Sequence, residues 1–202
     1  MDTDKKELLA EKKALRAKIL AVRRELKEPY RQKASQRMID VFCALPDFKE
    51  PKVVMCYASM GDEVQIRPLI QRWLDMGVTV TMPRVISKGQ MEAVTLPDLD
   101  SLVEGEYGIL TPDPVKSQVV APEKLDMIVV PGVAFDTRGE RLGMGAGFYD
   151  RFLSESEPQA LRIALCFDCQ LAEEIPMEVH DQRVEAIITE TRFIDCRSGK
   201  VR

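Results

Sequence analysis

The sequence has little of what identifies several common protein classes. It contains one histidine, His180, and five cysteines whose spacing shows no disulfide framework. Reduced and mostly buried thiols are therefore expected. Cys166 and Cys169 form a CxxC, but no second pair completes a zinc set, so we assign this motif to core packing. No serine or cysteine stands in a nucleophile motif, which argues against a hydrolase triad.

Charge and hydropathy exclude further classes. The 29 Lys and Arg residues oppose 33 Asp and Glu, and the net charge of −4 is too mild to favour nucleic acid or an anionic membrane. No apolar run approaches the roughly 20 residues that cross a bilayer. The first residues include Asp2, Asp4, Glu7 and Glu11, where a targeting signal would be basic. We expect a cytoplasmic monomer or weak homodimer that binds neither nucleic acid nor membrane, with one domain over residues 1–202.

Apolar periodicity predicts two N-terminal helices over about 4–45. The first carries an apolar stripe from Leu8 to Leu26 and ends before Pro29, and the second covers roughly 31 to 45. Strands and helices then alternate. Strands are predicted at 52–59, 78–85, 91–96, 107–110, 125–135, 161–167 and 184–190, with helices around Ile66 to Leu74 and from Phe148. This order predicts an α/β layered sandwich with a mostly parallel central sheet, whose ligands gather beyond the carboxyl ends of the strands.

The stretch "RLGMGAGFYDRFL", residues 141–153, places Gly143, Gly145 and Gly147 between a strand and a helix. Glycines there allow backbone N–H groups to approach phosphate oxygens, and the following helix adds its positive end. The spacing matches GxGxxG only loosely, so a structural glycine turn is the alternative. Arg141 at one end supplies a planar donor fork for a phosphate.

Asp150 stands at the other end of this stretch. A carboxylate beside a phosphate is repulsive unless a cation lies between them, so Asp150 indicates a Mg²⁺ ion. Asp181, in the "HD" pair after "EEIP", is a second candidate ligand, with a solvated turn residue as its alternative.

The first helix also carries a basic stripe beside its apolar stripe. Lys5, Lys12, Arg16 and Arg23 fall within one narrow sector at about 100° per residue. Two interpretations stay open. These side chains either snorkel beside the core, or Lys12 and Arg16 reach the phosphates of a nucleotide.

Several separated stretches resemble one family in order along nearly the whole chain. They are "KKALR", "YASMGDEV", "MPRV", "VVPGVAFDTRGERLGMGAGFYDRFL", the "IP.E.HD" segment and "AIITE". The chain is similar in these stretches to the 5-formyltetrahydrofolate cyclo-ligase (5,10-methenyltetrahydrofolate synthetase) family. The resemblance implies an α/β sandwich of the kind shared with sugar-phosphate isomerases and CoA transferases. It also implies ATP- and Mg²⁺-dependent conversion of 5-formyltetrahydrofolate, polyglutamated or not, to 5,10-methenyltetrahydrofolate, with ADP and phosphate released.

The resemblance also implies roles for individual residues. Arg141 and Asp150 are the expected catalytic residues, and Asp150 and Asp181 the expected metal ligands. Expected ATP contacts are Lys12, Lys13, Ala14, Leu15 and Arg16, with Arg141, Leu142, Gly143, Met144, Gly145, Ala146, Gly147, Phe148 and Tyr149 from the loop. Expected folate contacts are Ala58, Glu63, Met144, Gly145, Ala146, Gly147 and Phe148. The chain departs from the family at Ala146, where glycine or lysine is commoner.

Two of these candidates have structural alternatives. Glu63 could hydrogen-bond the pterin, or it could occupy the N-terminal turn of the next helix and interact with the helix dipole. Phe135 could pack on an aromatic ring of folate, or it could belong to the core. For the whole chain, the alternatives are a non-catalytic nucleotide- or folate-binding module of the same fold and an ATP-dependent ligase or kinase with another substrate.

Overall fold

Helices and strands alternate along the chain in the order that the periodicity predicts. The structure is a computed structural model that describes residues 2–48, 51–155 and 159–201. Its α-helices are α1 (Asp2–Glu25), α2 (Glu28–Ala44), α3 (Arg67–Asp75) and α4 (Phe148–Glu155). The two N-terminal helices are confirmed, and α4 begins at the predicted residue. The second helix begins earlier than expected because Pro29 lies in its first turn, where a missing N–H costs nothing.

Thirteen strands are present in the described residues, most of them short. They are β1 (Val53–Met55), β2 (Thr79–Ser87), β3 (Gln90–Thr95), β4 (Leu102–Glu104), β5 (Leu110–Pro112), β6 (Val119–Val120), β7 (Met127–Val129), β8 (Ala134–Phe135), β9 (Arg141–Leu142), β10 (Leu161–Leu165), β11 (Ala186–Ile188), β12 (Phe193–Asp195) and β13 (Lys200–Val201). Short 3₁₀ helices occur at Pro46–Phe48, Leu99–Ser101, Glu106–Gly108, Pro122–Lys124 and Asp168–Gln170.

Nine strands form one sheet in the order β13-β12-β11-β10-β7-β1-β2-β3-β6. The central strands from β11 to β2 are all parallel to their neighbours. Both edges are completed by antiparallel strands, β12 and β13 on one side and β3 and β6 on the other. The predicted parallel sheet is therefore confirmed for the centre, where helices cover both faces.

Alternate residues of the central strands face two different cores. Val54 of β1 and Val129 of β7 pack with α2 and α3, whose buried residues include Phe42 and Trp73. Successive strand residues point to opposite faces, so Met55 instead joins the core beneath α4. This alternation gives the three layers of the predicted sandwich.

A third, smaller core places α1. Ile19 of this helix is buried with Val133, Ala134 and Leu142 of the segments around β8 and β9, and with Ile175, which follows the 3₁₀ helix Asp168–Gln170. The first helix is thereby fixed beside the stretch that contains the glycines.

Two strand predictions were wrong. The apolar run 125–135 is not one strand: β7 ends at Val129, and β8 pairs with β9 in a separate two-stranded sheet. Pro131 and Gly132 explain the break, since proline has no N–H for a ladder and glycine weakens a strand. The segment 107–110 is a 3₁₀ turn, Glu106–Gly108, followed by the start of β5.

Candidate active site at the glycine loop

The glycine loop, residues 143–147, connects β9 to α4 as the sequence predicts. β9 is held in place by β8, with Phe135 paired to Arg141 and Ala134 to Leu142. Gly145 and Gly147 have φ values of 103° and 69°, a region that side chains disfavour. The loop thus turns sharply and enters the first turn of α4.

Two pockets lie on either side of this loop and share it as a wall. Arg141, Gly143, Gly147 and Asp150 line both of them. What we call the apolar pocket is completed chiefly by Tyr57, Ala58, Met60, Glu63, Pro83, Ile109, Val133, Met144, Phe148 and Tyr149. What we call the polar pocket is completed by Leu9, Lys12, Arg16, Leu142, Gly145, Glu178, His180 and Asp181. The apolar pocket opens beyond the carboxyl ends of β1 and β7, where the sequence places a ligand.

Lys12 forms the electrostatic centre of the polar pocket. Its ammonium donates to Asp181 Oδ2 at 2.5 Å and to Glu178 Oε2 at 2.9 Å. Burial opposes the charged form, but the two hydrogen bonds outweigh it and raise the pKa of Lys12 above its ordinary value. The same contact with Lys12 lowers the pKa of Glu178. The helix α1 is therefore joined by ion pairs to the segment after the 3₁₀ helix Asp168–Gln170.

Arg16 binds the glycine loop itself. Its Nε donates to the carbonyl oxygen of Gly143 at 2.9 Å, one turn along α1 from Lys12. The interpretation that Lys12 and Arg16 merely snorkel beside the core is wrong, because Arg16 binds the loop and Lys12 is buried in ion pairs with two acids. Of the expected ATP segment, Lys12 and Arg16 line the polar pocket. Lys13, Ala14 and Leu15 point elsewhere, since they occupy the other faces of the helix.

Arg141 and Asp150, the two expected catalytic residues, are in direct contact. Arg141 Nη2 donates to Asp150 Oδ1 at 2.6 Å, and the same oxygen accepts from Gln182 N at 3.1 Å. The Arg141 side chain is only 3% exposed. Its Nε and the hydroxyl of Tyr149 are buried without a hydrogen-bond partner in the described part of the chain. One of these donors, Arg141 Nε, thus belongs to the shared wall, and the other belongs to the apolar pocket.

The expected metal ligands both line the polar pocket. The alternative for Asp181, a solvated turn residue, is wrong because its side chain is 11% exposed and paired with Lys12. Asp181 Oδ2 also accepts from the backbone N–H of Glu178 at 2.7 Å. The sequence reasoning missed Glu178, which forms with His180 and Asp181 a group whose ligand atoms lie within 4.8 Å. Glu178 is the glutamate of the "IP.E.HD" segment, three residues before Asp181.

The chemistry of the donor set suits a magnesium ion, because two carboxylates, Asp150 and Asp181, line the polar pocket. Asp150 uses Oδ1 and Asp181 uses Oδ2 for the hydrogen bonds described above, and Asp181 Oδ1 lies 3.9 Å from His180 Nε2. Carboxylate oxygens are the ligands that Mg²⁺ prefers.

Glu63 lies in the wall of the apolar pocket. Burial raises the pKa of its carboxyl group, while a hydrogen bond from Met60 N to Glu63 Oε2 at 2.9 Å opposes that rise. The next helix begins only at Arg67 with Ile66 as its cap, so the helix-dipole alternative for Glu63 is wrong. Ala58 lines the same pocket, as expected.

Phe135 and the CxxC residues Cys166 and Cys169 pack in the core. Phe135 is fully buried beneath α4, so it packs in the core and not on a ligand. Cys166 is fully buried as well, and Cys169 packs against the other core, which confirms packing for the CxxC.

Comparison with known proteins decides the family. The model of the 5-formyltetrahydrofolate cyclo-ligase family matches residues 9–190. The chain belongs to this family. A 5-formyltetrahydrofolate cyclo-ligase of Mycolicibacterium smegmatis is 31% identical over 189 residues, which cover 91% of this chain and 95% of that protein. The 5-formyltetrahydrofolate cyclo-ligase of Escherichia coli is 30% identical over 173 residues, 84% of this chain and 95% of its own.

A solved structure agrees with the family assignment. The 5,10-methenyltetrahydrofolate synthetase of Aquifex aeolicus has a TM-score of 0.82 and 33% identity, covering 94% of each chain. The predicted family, fold and ligase class are thereby confirmed. 5-Formyltetrahydrofolate cyclo-ligase activity is the activity that the names of the family and of these relatives indicate. Among the described residues, no helix is long and apolar enough to span a membrane.

Proposed function

We propose that the cyclo-ligase reaction of this chain takes place across the glycine loop, with ATP in the polar pocket and 5-formyltetrahydrofolate in the apolar pocket. The observation that carries the proposal is the shared wall: Arg141, Gly143, Gly147 and Asp150 face both pockets. A γ-phosphate on one side and a formyl oxygen on the other can approach each other only where the wall lacks side chains. Glycine supplies that close approach.

The chemistry explains why two adjoining pockets are needed. A formamide carbonyl is a weak electrophile, and N10 cannot close the ring while the oxygen remains on the formyl carbon. Transfer of the γ-phosphoryl group to the formyl oxygen gives an imidate-like phosphate and ADP. N10 then attacks the formyl carbon, loses its proton, and phosphate leaves with the former formyl oxygen. The protein must align the formyl oxygen with the γ-phosphate of ATP. It must also stabilise the charge that spreads over the transferred phosphoryl group.

Residues of the polar pocket suit the phosphates. Arg16 uses Nε for the Gly143 carbonyl, which leaves its terminal nitrogens for phosphate oxygens. Arg141, fixed by Asp150 and by the Pro131 carbonyl at 3.2 Å, supplies positive charge at the wall itself. Positioned donors of this kind stabilise transition-state charge without reorganising during the reaction.

Asp150 and Asp181 would hold Mg²⁺ by their second carboxylate oxygens, with Glu178 close to Asp181. When bound there, the ion neutralises phosphate charge and orients the phosphoryl group. The hydrogen bond from Lys12 lowers the pKa of Glu178, which favours the ionised carboxylate that metal binding requires.

The apolar pocket suits the folate. Glu63 offers two acceptor oxygens for the amino and ring N–H groups of the pterin. Phe148 and Tyr149 give the apolar and aromatic surface on which a flat ring can pack. The direct contact between Arg141 and Asp150 favours an enzyme over a non-catalytic module, since a module has no need of this charge pair in the wall.

An isotope experiment tests the proposed step. 5-Formyltetrahydrofolate with a heavy-isotope formyl oxygen is incubated with the protein, ATP and Mg²⁺, and the released phosphate is analysed by mass spectrometry. One labelled oxygen per phosphate is expected. Methenyl product accompanied by unlabelled phosphate would exclude phosphorylation of the formyl oxygen.

A further inference from the structure

Arg23 is a buried charge outside both pockets. It lies about two turns beyond Arg16 on α1, with a side chain that is 6% exposed, and its Nη2 donates to Asp62 Oδ1 at 2.9 Å. Arg23 Nε and Asp62 Oδ2 are both buried without a partner in the described part of the chain. A pair that leaves two polar atoms unsatisfied adds little stability, because desolvation offsets the attraction. Stability alone therefore does not explain why this pair is buried.

The partner of Arg23 belongs to the turn that carries Glu63. Gly61 has a φ of 41°, and Glu63 N donates to the Met60 carbonyl at 2.8 Å, which closes a tight turn. The base of the turn is fixed by Ser59, whose hydroxyl donates to Val64 O at 2.7 Å. At its tip, Asp62 is the residue that binds another element, through Arg23. Since Asp62 directly precedes Glu63, a shift of Asp62 moves the Glu63 carboxylate.

The helix α1 thus contacts two segments that line the apolar pocket. Arg16 binds Gly143 of the glycine loop, and Arg23 binds Asp62 of the Glu63 turn. Both arginines lie on one face of a continuous helix, which fixes the distance between them. The separation of Glu63 from the glycine loop is therefore set by the spacing of two side chains along α1.

We propose that Arg23 is a positioning residue that, through Asp62, places the Glu63 carboxylate for recognition of the pterin. This inference rests on the proposed binding of folate in the apolar pocket. Loss of Arg23 frees the tip of the turn, so it weakens folate binding while ATP binding at Lys12 and Arg16 is retained.

The test compares Arg23→Met with Arg24→Met. Arg24 is the adjacent position on α1 and is exposed, so its substitution removes the same charge but keeps the hydrogen bond between Arg23 and Asp62. For Arg23→Met we expect the KM for 5-formyltetrahydrofolate to rise at least about fivefold, with the KM for ATP changed less than about twofold. Arg24→Met is expected to keep both constants. Calorimetric titration with 5-formyltetrahydrofolate in the absence of ATP should show the same loss of affinity.

Two further variants keep the proposal testable if Arg23→Met folds poorly. Arg23→Lys retains a cation for Asp62 and should recover part of the folate affinity. Asp62→Asn should weaken folate binding, and the effect of combining it with Arg23→Met should be less than additive, because the two residues act as one pair. Additive effects, or a lower melting temperature with an unchanged folate KM, would assign the pair a purely structural role.

The wild-type protein separates this inference from the proposed function. If wild-type protein forms no methenyl product, the proposed function fails, and the inference fails with it. If the wild type is active and Arg23→Met binds folate as tightly as the wild type, only the positioning role is overturned.

Discussion

Asp150 Oδ1 accepts a hydrogen bond from Arg141 Nη2 at 2.6 Å, so the strand before the glycine loop and the helix after it are joined directly. This hydrogen bond fixes the distance between the two residues that flank the loop. Arg141 consequently has one defined position in the wall between the two pockets.

Replacing Asp150 by Asn should reduce kcat at least about tenfold, because the change removes the charge that orients Arg141 and one expected Mg²⁺ ligand. The Mg²⁺ concentration at half-maximal activity should rise as well. Activity and magnesium titrations check this result. Asp195→Asn, on β12 at the far edge of the sheet, is the matched control and should be fully active. Wild-type turnover in Asp150→Asn would mean that this carboxylate is structural.

Replacing Lys12 by Met should raise the KM for ATP about tenfold or more, since it removes a cation from the expected phosphate site. It should also lower the melting temperature by a few degrees, because Asp181 and Glu178 lose their partner. Steady-state kinetics and thermal melting measure the two effects. Lys18→Met changes an exposed lysine of the same helix and should alter neither. An unchanged ATP KM in Lys12→Met would remove Lys12 from the ATP site.

Replacing Gly143 by Ala tests the close packing of the wall. An added Cβ would lie 3.0 Å from Arg141 Nη1, so the guanidinium must shift by a few tenths of an ångström. We expect kcat to fall roughly three- to tenfold through misplacement of Arg141, with the fold retained. Gly199→Ala, where a Cβ meets open space but φ is 69°, should cost stability without loss of turnover. Equal kcat values for Gly143→Ala and wild type would contradict the packing argument.

Folate binding should weaken in mild acid because burial raises the pKa of Glu63. As the pH falls through this raised pKa, Glu63 takes up a proton and loses one acceptor for the pterin N–H groups. The loss of folate affinity therefore begins at a higher pH than it would if Glu63 were exposed to solvent. Calorimetric titrations of 5-formyltetrahydrofolate between about pH 5 and 8 measure the effect. Glu63→Gln should bind more weakly and lose this acid dependence; an identical profile in that variant would assign it to another group.

Local features of the fold were predictable from the sequence. The apolar period of α1 and the start of α4 at Phe148 depend on residues close in sequence, and both are found. The interruption after Val129 was missed because Val130, Val133 and Ala134 continue the apolar pattern. An apolar pattern predicts that residues are buried, but it does not predict where a strand ends. Here the strand ends because Pro131 has no N–H for the ladder and Gly132 weakens strand structure.

Contacts between site residues of one sequence motif could be predicted. Contacts between residues that are far apart in the sequence were much harder to predict. Arg141 and Asp150 stand in one motif, and their contact follows from the turn between them. Lys12 meets Glu178 and Asp181 only because α1 packs beside β8 and β9, and periodicity along α1 does not report its partners. The contact of Arg23 with Asp62 was missed for the same reason: it joins two elements through tertiary packing.

The most direct measurement mixes the purified protein with ATP, Mg²⁺ and 5-formyltetrahydrofolate and follows the near-ultraviolet absorbance of the methenyl product. We expect a rise that requires ATP and that is lost or strongly reduced in Asp150→Asn. Absence of any ATP-dependent rise with the wild-type protein would contradict the meeting of two substrates across the glycine loop.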